Sequence, residues 1–513
     1  MSHRILKSFV PALALVLFSV PAWAQPSAAA SDDDDDAVAE ASVATPSSTV
    51  SAAAGPTVKA AAPAVQPVAA ADPTPPPAST TGEYGSHGEC KHLVAGTGGW
   101  TVGVCGFVAL NAIHDSTQGL GAGLNNSIIA RPGTYAGDHD QMQFTARDSR
   151  VNVEAIAPAT HGVTASGLIQ FDFTGVMPSD ATEGDQYIFG TPRLRLAVMK
   201  LNTPVVNMLA GQYHDLFGWG GTGFFPATVG FLGVPGEIYH RNPQVRLTKT
   251  LHSNAIDFEV ALAAVRPAQR AAGVPDGEGG LRLAVNRWTG ASAQAYGQPS
   301  IGPAQFGVSG VARRFKPVDF VANAGDSNSS YGWGFAANAV IPVIPRSDNE
   351  DRSNGLTITA EFSTGTGIAD LYTGLTGGLL FPTLPNDKGA SQPIYYVPNI
   401  DNGILTYDAN GAVKTAKWQA IVIGLQYYLP IAQGRVWISG IYSQSKSNNL
   451  VSLTTIPDRG LVYYKSEYED VSLFGAVTDA VQLSASFQTV RQLFGDRTSA
   501  RNNRVEFGSH FFF

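Results

Sequence analysis

The chain has 513 residues, a formal net charge of −8 and only 14% charged residues. A soluble domain usually carries about 25% charged residues, so this composition favours a protein with extensive apolar surface. The acidic balance and the absence of Lys/Arg runs argue against nucleic-acid binding. Cys90 and Cys105 form no Cys-x-x-Cys or Cys/His cluster with metal-ligand spacing, so we expect no metal site and no cofactor.

Residues 1–24 have the pattern of a secretory signal peptide. Arg4 and Lys7 precede an apolar core from Phe9 to Val20, and Ala22-Trp23-Ala24 forms a small-x-small cleavage site. An uncleaved N-terminal anchor is the alternative. No later apolar run approaches the roughly 18 residues of a membrane-spanning helix, so we predict no transmembrane helix.

Residues 25–98 are predicted to be a disordered periplasmic linker. The stretch 25–82 is rich in Ala, Pro, Ser and Thr, with SDDDDD at 31–36 and PTPPP at 73–77. Such a composition buries too little apolar area to offset the entropy of chain ordering. We interpret the aspartate run as a solvated acidic segment rather than a cation site.

From about residue 100, segments of about ten residues alternate in polarity, as in VTASGLIQFDF at 163–173. A period of two indicates strands with one apolar and one polar face. The predicted strands are 101–110, 143–155, 162–174, 190–201, 204–212, 243–251, 254–265, 281–289, 302–314, 331–343, 354–363, 416–429, 434–445, 467–477, 480–491 and 501–513.

Long and short connections alternate between these strands. For example, 111–142 is long and 156–161 is short, whereas 290–301 breaks the pattern because it should be short. Segregated loop lengths are typical of outer-membrane barrels, and a soluble β-sandwich has no reason to show them. The sequence therefore predicts an all-β fold: a transmembrane antiparallel β-barrel of about 16 strands over residues 99–513.

So wide a barrel cannot be filled by side chains, so the polar face should line water and the apolar face should meet lipid. Several arginines alternate with apolar residues and should face the lumen, where a basic track favours anions. The alternative is that they pair with Asp148, Glu154 and Asp172 and only maintain the barrel shape. The predicted pore-lining residues are Arg150, Arg193, Arg195, Arg246, Arg282 and Arg435.

The third long loop, about 213–242, is unusually aromatic, with Phe217, Trp219, Phe224, Phe225 and Phe231. Apolar surface of that extent usually contacts something. We predict that the loop folds into the lumen as a constriction; packing at a subunit contact is the alternative. Asp215 and Glu237 are then expected to face the basic wall.

The chain resembles outer-membrane general porins, most closely the DcaP-like porin subfamily. The resemblance rests on FTARDSRVNVEAIAP, GLIQFDFTG, TPRLRLAVMKLNTPVVNMLAGQYHDLFGW, RNPQVRLT and the terminal phenylalanine. It implies a homotrimer of sixteen-stranded barrels in outer-membrane lipid, each with an inward-folded third loop. It also implies passive diffusion of small hydrophilic solutes, with some preference for anions such as dicarboxylates. Unlike that subfamily, this N-terminal extension shows no coiled-coil pattern.

The last ten residues, RVEFGSHFFF, place Phe511 and Phe513 on the lipid face by alternation. A terminal aromatic looks like the signal read by the barrel assembly machinery, and this strand is expected to close the barrel against 101–110. Cys90 and Cys105 are candidates for a disulfide, since export exposes them to an oxidising compartment.

The principal functional hypothesis is therefore a passive porin. A structural or adhesive barrel acting through its long loops, such as 364–415, is the second. An enzyme on a barrel scaffold is the third, because acid–histidine neighbours occur at 138–140 and 214–215. No nucleophile motif such as Gly-x-Ser-x-Gly accompanies them, so we predict that the protein is not an enzyme.

Overall fold

The structure is a computed structural model. It describes residues 93–95, 98–118, 120–121, 123, 128–175, 190–224, 233–294, 297–319, 326–373, 377–378, 400–401, 403–408, 410–454 and 456–513. The predicted signal peptide and almost all of the predicted linker lie outside the described residues, as does Cys90. Among the described residues, no helix has the length and apolar character needed to cross a membrane.

Sixteen strands form one closed antiparallel barrel, which confirms the predicted fold and strand number. In chain order they are β1 (Thr101–Asp115), β2 (Gln141–Thr145 and Arg150–Ile156), β3 (Thr164–Asp172), β4 (Arg193–Asn202), β5 (Asn207–His214), β6 (Arg241–His252), β7 (Ile256–Val265), β8 (Asp276–Ser292), β9 (Ser300–Phe315), β10 (Ser330–Ile344), β11 (Leu356–Thr366), β12 (Lys417–Tyr428), β13 (Val436–Ser447), β14 (Tyr463–Ala476), β15 (Val481–Phe494) and β16 (Ser499–Phe512).

The remaining elements are short and lie in the connections. In the described residues they are the helices Tyr135–Asp138 and Leu450–Leu453, the 3-10 turns Phe217–Trp219, Ala369–Leu371, Ala432–Gly434 and Ile456–Leu461, and a two-stranded hairpin of Leu405–Tyr407 with Val413–Thr415; a further short strand, Leu93–Ala95, precedes the barrel.

The barrel closes between its first and last strands, as predicted. The register of β1 with β16 runs from Phe107 opposite Phe512 to Asp115 opposite Arg504. Closure leaves no open sheet edge, so the backbone polar groups of the strands are satisfied by their neighbours.

One short strand precedes the barrel. Leu93–Ala95 pairs with the first residues of β1, and Gly98 and Gly99 form the turn with positive φ angles of 73° and 81°. A turn of that conformation favours glycine. The predicted end of the linker at residue 98 is therefore too late, because residues 93–95 already belong to the sheet.

The strands are apolar outside and polar inside, as predicted. In β3, Gln170 and Asp172 are buried toward the lumen, whereas Ile169 and Phe171 are exposed on the outer surface. In β16, Glu506 and His510 point inward, while Phe511 is 51% exposed, and Phe513, which follows the strand, is 39% exposed. A pleated strand whose two faces meet different surroundings gives this pattern.

The alternation predicted for β4 is wrong after Arg195. The expected outward Leu196 is fully buried, and it packs in a lumen-side cluster with Leu168, Val198, Leu209 and Tyr213. The cause is a register shift between β3 and β4, at which Gln170 pairs with Leu196 and Phe171 with Leu194. The extra residue, Arg195, turns inward together with its neighbour.

Connections on the two ends of the barrel differ in length as predicted, although 345–355 on the short-turn side has eleven residues. The long loops used below are L3 (215–240), between β5 and β6, and L6 (367–416), between β11 and β12. The last connection on that side, 495–498, is short. On the short-turn side, the connection predicted to be long is shorter, because β8 ends at Ser292 and β9 begins at Ser300. The N–H of Ala293 donates to Oε1 of Gln426 on β12, and Nε2 of Gln426 donates to the carbonyl of Ala293.

Candidate functional site: the inward loop and the arginine wall

L3 folds into the lumen and packs its aromatic residues on the barrel wall. Trp219 lies against Gly280 of β8 and Gly307 of β9, and Phe217 lies against Gly334 of β10. A Cβ atom at any of these glycines would come within 2.8 Å of an aromatic ring atom, so only glycine permits the approach. Of the five aromatic residues named in the predicted constriction loop, Phe217, Trp219 and Phe224 are buried, whereas Phe225 and Phe231 lie outside the described residues.

The first part of L3 is held by acceptors on β8 and β9. The backbone N–H groups of Leu216 and Phe217 donate to Oε2 of Glu278 at 2.8 and 2.9 Å. The N–H of Gly218 donates to Oγ of Ser309 at 2.8 Å, and the Trp219 indole donates to the carbonyl of Val308 at 3.0 Å. These bonds satisfy loop backbone groups that would otherwise be buried without partners.

The last part of L3 is held by β11 and β13. The N–H of Ile238 donates to Oε1 of Glu361 at 2.8 Å, and Asn338 Nδ2 of β10 donates to Oε2 of the same carboxylate at 2.8 Å. The Ser443 hydroxyl donates to the carbonyl of Pro235 at 2.6 Å. The described first part of L3 therefore contacts β8 and β9, and its described last part contacts β11 and β13. We call Glu278, Ser309, Glu361 and Ser443 the anchor side.

Arginines gather on the other flank of the lumen, around a single carboxylate. Arg193 and Arg195 both pair with Asp172, the shortest N–O distances being 2.6 and 2.7 Å. Arg195 also donates to Oε1 of Gln170 and, at 2.9 Å, to the hydroxyl of Tyr239 on L3. The alternative, that the lumen arginines pair with acidic residues, thus holds for Asp172. One carboxylate here pairs with two guanidinium groups, so the pairing leaves a positive charge.

Two arginines of β6 extend this surface. The Arg241 guanidinium lies 5.4 Å from the ring centre of Tyr239, and Arg246 donates to the neutral acceptors Gln244 Oε1 and the His214 carbonyl. Neither forms an ion pair with a carboxylate in the described part of the chain.

We call Arg150, Arg193, Arg195, Arg241 and Arg246 the basic wall. Asp148 and Asp172 act electrostatically on Arg195 of this wall, and Asp215 and Glu278 act on Arg246, so five arginines less four carboxylates leave a formal excess of one positive charge. Burial raises the pKa of Tyr239, but Arg195, Arg241 and Arg150 outweigh this and lower it to about 8. The lowered pKa reports a strongly positive environment at the point where L3 meets the wall.

The two predicted acidic residues of L3 lie in different places. Asp215 faces β6, where its carboxylate accepts from the backbone and side chain of Asn242 at 3.1 and 2.8 Å. Burial raises the pKa of Asp215, although His240, Asn242 and Arg246 act against it. Glu237 instead faces Glu361 on the anchor side. Its expected contact with the basic wall is wrong, because the neighbouring Ile238 is bonded to Glu361.

The structure does not bring all six predicted arginines together. Arg150, Arg193, Arg195 and Arg246 share the basic wall. Arg282 lies on β8, where it pairs with Glu259 at 2.5 Å and lies 5.5 Å from the Trp219 ring centre. Arg435 lies outside the strands, in a short turn before β13, and its partly exposed side chain pairs with Asp479.

Sequence reasoning missed the residues that hold L6. Arg313 of β9 pairs with Asp276 of β8 at 3.0 Å and, through both terminal nitrogens, with Asp370 of L6 at 2.6 and 2.8 Å. Burial opposes the charged form of Asp370, but Arg313 outweighs it and the pKa lies below its ordinary value. Arg313 alternates in step with the inward-facing Val311 and Phe315. This alternation in the sequence could have identified Arg313 as a lumen-facing residue.

Only one cysteine of the predicted disulfide, Cys105, lies among the described residues. Cys105 is disulfide-bonded, and Asn152 of β2 lies beside its sulfur at 3.6 Å. Because Cys90 lies outside the described residues, the 90–105 link remains a prediction.

No protein-family model matches the sequence, and no curated protein matches it either. Solved structures do match. The outer membrane channel DcaP of Acinetobacter baumannii aligns with a TM-score of 0.55 and 16% identity, covering 82% of this chain and 99% of that chain. Pseudomonas putida OprB aligns at 0.45 with 12% identity over 81% and 94% of the two chains. An anion-selective porin from Comamonas acidovorans aligns at 0.44 with 8% identity over 81% and 100%.

The DcaP alignment carries the comparison, because its score is the highest of these three and it spans nearly all of that channel. At 16% identity the likeness concerns the fold. This chain has the sixteen-stranded barrel fold of the bacterial outer-membrane channels.

Proposed function

We propose that the protein is an outer-membrane porin, a passive diffusion channel for small hydrophilic solutes that prefers anions such as dicarboxylates. The basic wall is the observation that carries this proposal. Its excess positive charge faces an inward loop that narrows the lumen, so a passing anion meets guanidinium groups at short range. Arginine binds carboxylates in bidentate fashion, and a positively charged constriction lowers the barrier to anions relative to cations.

The location follows from the surface of the barrel. Outward-facing Leu, Ile, Val and Phe side chains form an exposed apolar surface, as lipid contact requires. We propose that the barrel resides in the outer membrane as a homotrimer, with the N-terminal extension in the periplasm. We also propose that the barrel assembly machinery reads Phe511 and Phe513. The exposed position of both rings supports this last point.

The adhesive alternative relied on a free L6. Much of the described part of L6 is instead buried: Asp370 is bonded to Arg313, and Ile404, Leu405 and Tyr407 lie in the interior. This arrangement favours a channel whose second long loop also shapes the lumen.

Single-channel recording in a planar bilayer tests the proposal. We expect stepwise conductance and, under a KCl gradient, a reversal potential of the sign given by chloride preference. Liposome swelling should be faster with a dicarboxylate than with a neutral sugar of similar size. Absence of step conductance contradicts the porin, whereas a cation-selective reversal potential contradicts only the anion preference.

A further inference from the structure

The hairpin of β8 and β9 bends away from the barrel wall near its short-turn end. The register of β8 with β9 shifts between Val285 and Thr289, so residues 286–288 have no opposite residues on β9. A bulge of this kind bends the strand that carries it. Beyond the bulge, β8 contacts β10, β11 and β12, which lie two to four strands away in the barrel.

Three buried side chains stand in one row on the lumen face of these strands. Pro342 of β10 pairs with Thr357 of β11, and Thr357 pairs with Gln426 of β12. Gly290 of β8 lies on this row, since a Cβ atom there would be only 2.5 Å from the Cβ atom of Pro342. Only glycine permits so close an approach. Beside it, the Trp288 indole donates to the carbonyl of Pro342 at 2.7 Å.

Residues 290–293, which we call the inward segment, cross the rest of the row. The Thr357 hydroxyl donates to the carbonyl of Ala291 at 2.6 Å. The backbone of Ala293 and the side chain of Gln426 donate to each other, both at 2.8 Å. Three steps of extended chain span about 10 Å, as do two strand spacings. The inward segment therefore lies across β10, β11 and β12 and not along the wall.

A second row of inward side chains, one step closer to the barrel end, consists of aromatic rings. Tyr428 of β12 pairs with Trp437 of β13, which pairs with Phe474 of β14. The ring centres are 5.9 and 5.0 Å apart. All three rings are buried, and they pack in one cluster with Ala291 and Ala293. Rings on the wall of a water-filled lumen are wet unless something covers them, and here the inward segment does so.

The inward segment and L3 lie at different depths in the barrel. L3 is bonded to Glu361 of β11 through the N–H of Ile238, whereas Ala291 is bonded to Thr357 on the same strand. The four residues from Thr357 to Glu361 span about 13 Å of strand. A solute in the lumen thus passes L3 and the inward segment one after the other.

We propose that the inward segment forms a second constriction at the periplasmic mouth, where it limits the size of the solutes that pass. The inference rests on the proposed function, and the short turns of such barrels face the periplasm. Residues 290–301 contain no charged side chain, and the row beneath them is neutral. The basic wall then selects by charge, and the inward segment selects by size.

Replacement of residues 290–301 by Asn-Gly removes the inward segment and joins β8 to β9 by a two-residue turn. Two similar constrictions in series share the resistance, so we expect single-channel conductance to rise by up to about twofold. Liposome swelling should quicken more with a trisaccharide than with a monosaccharide, and the reversal potential should stay unchanged. Absence of conductance from the wild type contradicts the porin itself. Wild-type conductance that the replacement leaves unchanged contradicts only the second constriction.

Gln426→Ala removes both bonds to Ala293 and keeps the chain length. It should raise conductance in the same direction by a smaller factor. Gln419→Ala makes the same change on the outer face of β12 and should conduct as the wild type does. Equal conductance in these two variants overturns the role of Gln426 in holding the segment across the lumen.

Cysteine labelling tests the cover without reference to transport. Ala476 belongs to the covered cluster and is 9% exposed, whereas Thr478 lies in the exposed turn that follows. A maleimide should label Ala476→Cys at least about tenfold more slowly than Thr478→Cys, because thiol reactivity follows exposure. The Asn-Gly replacement should remove most of that difference. Equal rates in a chain with the native hairpin overturn the proposal.

Discussion

The anchor side and the basic wall use charge in different ways. At the anchor side, Glu278 and Glu361 each accept two hydrogen bonds, and three of these four bonds come from L3 backbone N–H groups. Their carboxyl oxygens therefore hold the loop in place. At the basic wall, Arg241 and Arg246 contact an aromatic ring and neutral oxygens. We expect substitutions of the first kind to change mainly stability and substitutions of the second kind to change mainly selectivity.

The largest effect is expected from Glu278→Ala at the anchor side. The change leaves the N–H groups of Leu216 and Phe217 without their acceptor, at a cost of about 3 kcal/mol or more in unfolding free energy. Conductance should rise, since the first part of L3 is released from β8. Thermal unfolding and single-channel recording measure both effects. Glu278→Gln keeps an acceptor oxygen and is the matched control; an equal loss in both variants contradicts the hydrogen-bond account.

Asp370→Asn tests the attachment of L6 to Arg313 of β9. We expect the unfolding free energy to fall by about 2 kcal/mol at neutral pH. The carboxyl has a folded pKa below its unfolded value of about 3.9. Its contribution is therefore fully present above pH 4 or so and is lost as pH falls through the folded pKa.

Melting temperatures of the wild type and Asp370→Asn as a function of pH check this expectation. The difference between them should be constant from neutral pH to about pH 4 and should shrink in stronger acid. A difference that grows on acidification shows that Asp370 is not held by Arg313 in its charged form.

Arg241→Gln is expected to change selectivity and to leave stability nearly unchanged. Removal of one unit charge within about 5 Å of a hydrated ion raises the barrier to anions by about 1 kcal/mol, a factor of about five in relative permeability. Reversal potentials under a KCl gradient measure this ratio. A fall in melting temperature as large as that of Glu278→Ala contradicts the division between the two sides.

Arg435→Gln should have the smallest effect, although the sequence places this arginine with the pore-lining set. Its pair with Asp479 lies at the exposed short-turn end, where such pairs contribute about 0.5 kcal/mol. We expect an unchanged reversal potential, measured beside Arg241→Gln as the same substitution at a different site. A comparable shift in both variants means that net charge alone governs selectivity.

The sequence predicts the parts of this fold that depend on the period of a strand. Alternation identifies the inward phase of Arg150 and Asp172 and the outward phase of Phe511, because the pleat fixes both. It fails at Leu196, since a bulge depends on the register of two strands. It also cannot identify the anchors of L3: Ile238 and Glu361 are 123 residues apart, and their contact depends on how the loop crosses the lumen.

The seam between β1 and β16 joins residues 389 positions apart through a bidentate pair, in which Arg504 donates to both oxygens of Asp115 at 2.8 Å. Both side chains are almost fully buried. A slip of one residue at closure turns Arg504 toward the membrane, where a charge is costly. We therefore expect the pair to favour the observed register when the barrel closes, because a misaligned last strand loses the ion pair and places a charge in lipid.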